Sequence, residues 1–117
     1  MPFVLIAIGS NCRQSVHIQW ASERLSTLLD GLQLSRRLWT HDFKGGGSMY
    51  MNRLAAGCTT LPADELQSYL KACEAETRRT KNCVTLDLDL MLYDTDRYHE
   101  RDWERPYIQQ LINDIQL

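Results

Sequence analysis

Three patterns predict an α+β fold. Phe3 to Ile8 is a continuous apolar run rich in β-formers, two later segments repeat apolar residues at helical spacing, and Thr85 to Leu92 (TLDLDLML) alternates in the two-residue period of a strand. In chain order the segments read β-α-β-β-α-β, then α. That order suits a split βαβ, ferredoxin-like sandwich, an antiparallel sheet with helices on one face, followed by a C-terminal helix. A chain of 117 residues without a linker or internal repeat is expected to form a single domain over 1–117.

The elements follow in turn. Phe3 to Ile8 predicts a central strand, stopped by Gly9-Ser10-Asn11. Ile18, Ala21, Leu25, Leu28 and Leu29 approximate a helical stripe over about Ser15 to Leu29, and Asp30-Gly31 stops it. Leu32 to His41 is expected as a second strand, the KGGGS stretch (44–48) as a loop, and Met49 to Thr59 as a third strand. Leu66, Tyr69, Leu70 and Cys73 mark the second helix, with Pro62 at its start and Asp64 and Glu65 at the positive end of its dipole. After the Asp/Leu strand, Ile108, Leu111, Ile112 and Ile115 predict a last helix from near Pro106.

Composition excludes several classes. A formal net charge of −2 provides no general basic field, so nucleic acid is not an expected partner. The apolar N-terminal run is too short to span a membrane and follows no basic segment, so neither a membrane partner nor export is expected, and the cytoplasm is the default. Cys12, Cys58, Cys73 and Cys83 form no CxxC pair and do not cluster with His; free thiols are expected, without a zinc site.

The strand TLDLDLML carries the chemistry. Its period predicts Leu86, Leu88, Leu90 and Leu92 on one face, toward the helices, and Asp87, Asp89, Met91 and Tyr93 on the other. Carboxylates two residues apart on one strand face lie roughly 6–7 Å apart at the backbone, and like charges so placed disfavour joint ionisation. A divalent cation would remove that penalty.

VLIAIGSN near the start, YMN in the third strand and TLDLDLMLY, in this order, resemble the 6-hydroxymethyl-7,8-dihydropterin pyrophosphokinase family over about residues 3–93. The resemblance implies a ferredoxin-like fold and transfer of pyrophosphate from ATP to the hydroxymethyl group of the pterin, in folate biosynthesis. It implies that Asp87 and Asp89 are catalytic and bind Mg²⁺, which takes oxygen ligands and often one or two carboxylates beside phosphates. It implies that Tyr50 stacks on the pterin and Asn52 reads its edge, that Thr40 and Phe43 lie in the loop around the pterin, and that Tyr107 covers the other pterin face. Glu74, Arg79 and Arg105 fall where the nucleotide is contacted, Arg79 being a catalytic candidate as well, with Arg78 and Lys81 as alternatives. Trp39 is a further candidate for the pocket border.

The match has departures. The family's long mobile loop before the Asp strand, with its Trp and Arg residues, is cut down to roughly Thr80 to Val84, and Val84 replaces an Arg. His99 lacks the following Pro of the family's His-Pro segment, and Thr40-His41-Asp42 stands where Thr-Pro-Pro is common. The shorter C-terminal part implies a substrate wall that is missing or rebuilt by the last helix. Two other functions therefore stand beside the ATP-dependent kinase: a catalytically impaired relative that binds pterin or nucleotide, and a ferredoxin-like interaction domain.

Overall fold

The computed structural model describes residues 1–42 and 47–117. Strand β1 (Phe3–Ser10) leads into helix α1 (Gln14–Leu28), strands β2 (Asp30–Leu34), β3 (Leu38–His41) and β4 (Met49–Cys58), helix α2 (Ala63–Glu76), strands β5 (Asp87–Tyr93) and β6 (Asp96–Arg97), a 3-10 segment (Glu100–Glu104) and helix α3 (Pro106–Leu111), which ends in a further 3-10 turn (Ile112–Asp114). The described residues form a six-stranded antiparallel sheet in the order β2-β4-β1-β5-β6, with β3 also pairing β4. This is the α+β, ferredoxin-like arrangement expected from the element order.

Burial explains the two long helices. On α1, Ile18, Ala21, Ser22 and Leu25 face the sheet, and the chain leaves the helix through an extended Leu29 into β2, where Gly31, at a positive φ of 66°, sits in a bulge between Asp30 and Gln33. On α2, Leu66, Leu70 and Cys73 face the sheet, joined by Glu74. Asp64 and Glu65 lie in its first turn, and Arg78 closes the other end in the left-handed conformation, φ 59°. Both helices pack on one face of the sheet, against Val4, Ile6, Ile8, Met51, Ala55, Leu86, Leu88 and Leu90.

The third helix takes the opposite face. Ile108, Leu111 and Ile115 pack with Trp103 on Leu5, Ala7, Leu54, Ala56 and Met91. This covers the face that carries the aspartates, but only at one end.

Three local expectations change. The predicted strand 32–41 is two strands, because Ser35 turns inward: its N–H donates to Leu54 O at 2.9 Å and its Oγ accepts from Leu54 N–H at 2.8 Å. Along β5, Leu90 pairs Ile6 while Leu92 pairs Leu5, so Met91 is the extra residue of a bulge. The bulge reverses the alternation: Leu92 packs in the α3 cluster, and Tyr93 in the α1–α2 cluster donates its hydroxyl to Leu61 O at 2.7 Å. The expectation of four free thiols also fails. β1 and β5 are neighbours, so Cys12 just after β1 meets Cys83 just before β5, with Cα atoms 5.4 Å apart, and the two form a disulfide. Cys58 and Cys73 remain free.

Candidate active site

The two ends of the aspartate face differ in covering. At the α3 end the inward residues are apolar and buried. At the other end Gly9 of β1, Tyr50 and Asn52 of β4, and Asp87 and Asp89 of β5 line a cavity of about 600 Å³. Thr40 of β3 and Tyr107 of α3 close its sides, and Arg79, Thr80, Lys81 and Val84 supply the wall between α2 and β5. A second, more open groove of about 780 Å³ runs along the outer edge of β5 beside α2, lined by residues including Lys71, Leu88, Tyr98 and His99. Among the described residues Asp89 alone belongs to both linings.

The aspartates sit in different surroundings. Asp87, with a side chain 40 % exposed, accepts from Arg79 Nη1 at 3.4 Å. Asp89 is more enclosed, 26 % exposed, with His99 Nε2 at 3.8 Å from Oδ1. Burial first, and the Asp87 charge next, push the Asp89 carboxyl up to about 6. This is the penalty foreseen for two carboxylates on one strand face, although burial exceeds repulsion. No group of three or more His, Cys, Asp or Glu gathers as a metal site among the described residues; the two carboxylates on the cavity lining are oxygen donors of the kind magnesium uses beside phosphates and waters.

Asn52 is 5 % exposed, and its amide nitrogen donates to Thr40 Oγ1 at 2.7 Å and Leu38 O at 3.2 Å. These bonds fix its orientation and leave the oxygen beside Gly9, where an added Cβ would stand 3.6 Å away. The side chain therefore presents an acceptor to the cavity rather than the donor and acceptor pair its type suggests. Burial, followed by the Asp42 and Asp87 charges, raises the Tyr50 phenol. Burial, then Asp102, pushes the Tyr107 phenol up to about 12, so both rings remain neutral near pH 7.

The basic candidates separate. Arg79 lines the cavity but is held by Glu74 at 3.2 Å as well as by Asp87. Glu74 is buried behind it, outside both linings. Arg105 pairs with Asp102 at 2.9 Å and stands off the lining, as does the exposed Trp39. Phe43 lies outside the described residues.

Two features stand in quoted segments of the sequence but outside its predicted site residues. His99, at the end of the β5–β6 hairpin in a left-handed conformation (φ 53°), lies beside Asp89; its position after the Asp strand was the available signal. Asn11 lines the cavity and ties down the short segment: its N–H donates to Val84 O at 2.9 Å and its Oδ1 accepts from Val84 N–H at 2.8 Å. With the Cys12–Cys83 bond, the wall formed by Thr80–Val84 is fastened to the exit of β1.

By fold and site the chain is an α+β sandwich whose sheet presents two carboxylates, an amide and one aromatic ring to a cavity that a second ring, from α3, borders. Residues 5–117 match the family model of 7,8-dihydro-6-hydroxymethylpterin-pyrophosphokinase (HPPK). The chain therefore belongs to the HPPK family, the pyrophosphokinases of folate biosynthesis, which use ATP as co-substrate. No curated protein matches it. No described helix is long and apolar enough to cross a membrane.

Proposed function

We propose that residues 1–117 act as one Mg²⁺-dependent domain that transfers pyrophosphate from ATP to 6-hydroxymethyl-7,8-dihydropterin, in the cytoplasm. The observation that carries this reading is the position of Asp87 and Asp89: both open on the cavity that Tyr50, Asn52 and Tyr107 line, and Asp89 also borders the groove beside α2. Two adjoining spaces that share Asp89, with Asp87 beside it, suit two substrates that react where they meet.

In this reading the pterin lies in the cavity between Tyr50 and Tyr107, with Thr40 at its side. Asn52 Oδ1 accepts from an N–H on the pterin edge, since its own N–H groups are spent within the protein. The nucleotide lies along the groove with its phosphates at the carboxylates. Asp87 and Asp89 would hold Mg²⁺, which when bound neutralises phosphate charge. Arg79 adds a guanidinium on the cavity side. The hydroxymethyl oxygen attacks the β-phosphorus and AMP leaves. Arg105 reaches a phosphate only if its Asp102 pair opens.

The test is AMP formation from ATP, Mg²⁺ and the hydroxymethyl pterin. The wild-type chain should release AMP, and Asp87→Ala and Asp89→Ala should each lower the rate by roughly a hundredfold or more. Equal rates in the three proteins would refute the reading. The fastened Thr80–Val84 wall favours a second reading, a pterin- or nucleotide-binding module, because a wall tied by a disulfide closes less freely over substrates. Calorimetric binding of pterin without AMP release would select it.

A further inference from the structure

Glu74 is 5 % exposed on the sheet-facing side of α2, among Leu66, Leu70 and Cys73. A carboxylate so buried persists only with strong partners. Its Oε2 accepts from the Leu88 backbone N–H at 2.7 Å, its Oε1 lies 3.2 Å from Arg79 Nη1, and Lys71 Nζ reaches Oε2 at 3.2 Å. Leu88 is the residue between the two aspartates.

The topology explains that bond. β5 is paired along one side by β1, in the register Gly9–Asp87, Ile8–Leu88 and Ala7–Asp89. On its other side β6 pairs only Leu92 and Tyr93. Among the described residues the outward N–H of Leu88 therefore has no strand partner, and a free edge here would let the peptide between Asp87 and Leu88 rotate. The Glu74 carboxylate takes the place of the missing strand at this one position.

We propose that Glu74 is a positioning residue: it fixes the backbone between Asp87 and Asp89 by accepting from Leu88 N–H, and holds Arg79 on the cavity side, without touching the nucleotide. The proposal rests on the functional reading above, in which the two aspartates hold the cation. It departs from the role that the family resemblance implies for Glu74, a nucleotide contact, because Glu74 lines neither cavity. One buried group then sets both the carboxylates and the guanidinium, which explains an acidic side chain at an otherwise apolar helix position.

Two variants separate the parts of this role. Glu74→Gln keeps an acceptor for Leu88 N–H but loses the charge that holds Arg79; Glu74→Ala loses both. Hydrogen exchange at the Leu88 amide, in the metal-free full chain, should speed up about tenfold or more in Glu74→Ala and clearly less in Glu74→Gln, because Ala removes the acceptor altogether whereas Gln replaces a charged acceptor by a neutral one. Mn²⁺ binding, followed by water-proton relaxation, should weaken about tenfold in Glu74→Ala and less in Glu74→Gln. In turnover, kcat should fall while the KM for ATP changes little. Unchanged Leu88 exchange and Mn²⁺ affinity in Glu74→Ala would overturn the proposal, as would a rise confined to the KM for ATP. If Glu74→Ala does not fold, Glu74→Gln decides alone: rapid Leu88 exchange in that folded variant would overturn it. Exchange and Mn²⁺ binding are read even if the wild-type chain releases no AMP, so failure of the kinase reading is distinguishable.

Discussion

Asp89→Asn tests the electrostatics of the site without any substrate. The ordinary carboxyl value of 3.8 rises to about 6 at Asp89, first through burial and then through Asp87. At about 1.36 kcal/mol per pH unit this gap is about 3 kcal/mol of disfavoured ionisation. The sign follows from proton binding. Between pH 4 and 6 the folded chain holds a proton on Asp89 that the unfolded chain has released, so this group's contribution makes stability fall as pH rises through that window. Below pH 4 the group is neutral in both states and costs nothing. Asparagine has nearly the same shape and no charge. Asp89→Asn should therefore match wild type near pH 3.5 and exceed it by about 2–3 kcal/mol at pH 7, with the difference opening between pH 4 and 6. Urea unfolding with a chelator present, at half-unit pH intervals, measures this. Mg²⁺ should then stabilise wild type at pH 7 and not the variant. A pH-independent difference, or a variant less stable at pH 7 than at pH 3.5 relative to wild type, would refute the assignment of a carboxylate whose ionisation is disfavoured by burial and Asp87.

Three further outcomes are expected. Thiol titration in denaturant should count two free cysteines before reduction and four after it, and Cys12→Ser with Cys83→Ser should cost about 2–4 kcal/mol in chemical unfolding, as loss of a cross-link spanning 71 residues implies; four thiols before reduction would remove the cross-link from the fold. Tyr107→Phe should bind pterin about as well as wild type, because the contact proposed is through the ring, whereas Tyr107→Ala should bind about tenfold or more weakly by calorimetry. Ser35→Ala should lose about 1–3 kcal/mol in urea unfolding, because the buried Leu54 N–H then has no acceptor.

Periodicity made most of the fold legible. The stripes of α1 and α2 and the alternation in β5 encode burial on one face, the continuous run of β1 burial on both, and the observed clusters repeat those residues. What the sequence did not disclose depended on contacts between distant segments. The break at Ser35 comes from a hydroxyl that reaches β4, and the bulge at Met91 comes from register against β1. Neither leaves a periodic trace, so Leu92 and Tyr93 fall on the faces opposite to those their spacing implies. The disulfide likewise joins cysteines that spacing does not relate; only the adjacency of β1 and β5 brings them together. In the site, residue type and frame place Asp87, Asp89, Tyr50 and Asn52 on one lining, whereas His99 and Asn11 needed the hairpin and the turn to be built before they came into reach.

The cavity lies beyond the start of α3. Tyr107, the second residue of the helix, stands at the border, and from there Ile108, Leu111 and Ile115 with Trp103 cover Leu5, Leu54, Ala56 and Met91, so the rest of the face stays open and is polar. Ten residues, 77–86, connect α2 to β5, and within them Thr80 N–H donates to Cys83 O while Val84 is bound to Asn11. Such a wall loses little conformational entropy when a ligand enters, which favours affinity, but it cannot close far over the ligand to exclude water, which disfavours turnover. The Cys12–Cys83 bond strengthens both effects. Disulfides are rare in a reducing cytoplasm, so the chain in that compartment gains mobility in the segment that most limits closure. On the proposed function, the Cys12–Cys83 bond therefore bears on the balance between holding a pterin and converting it.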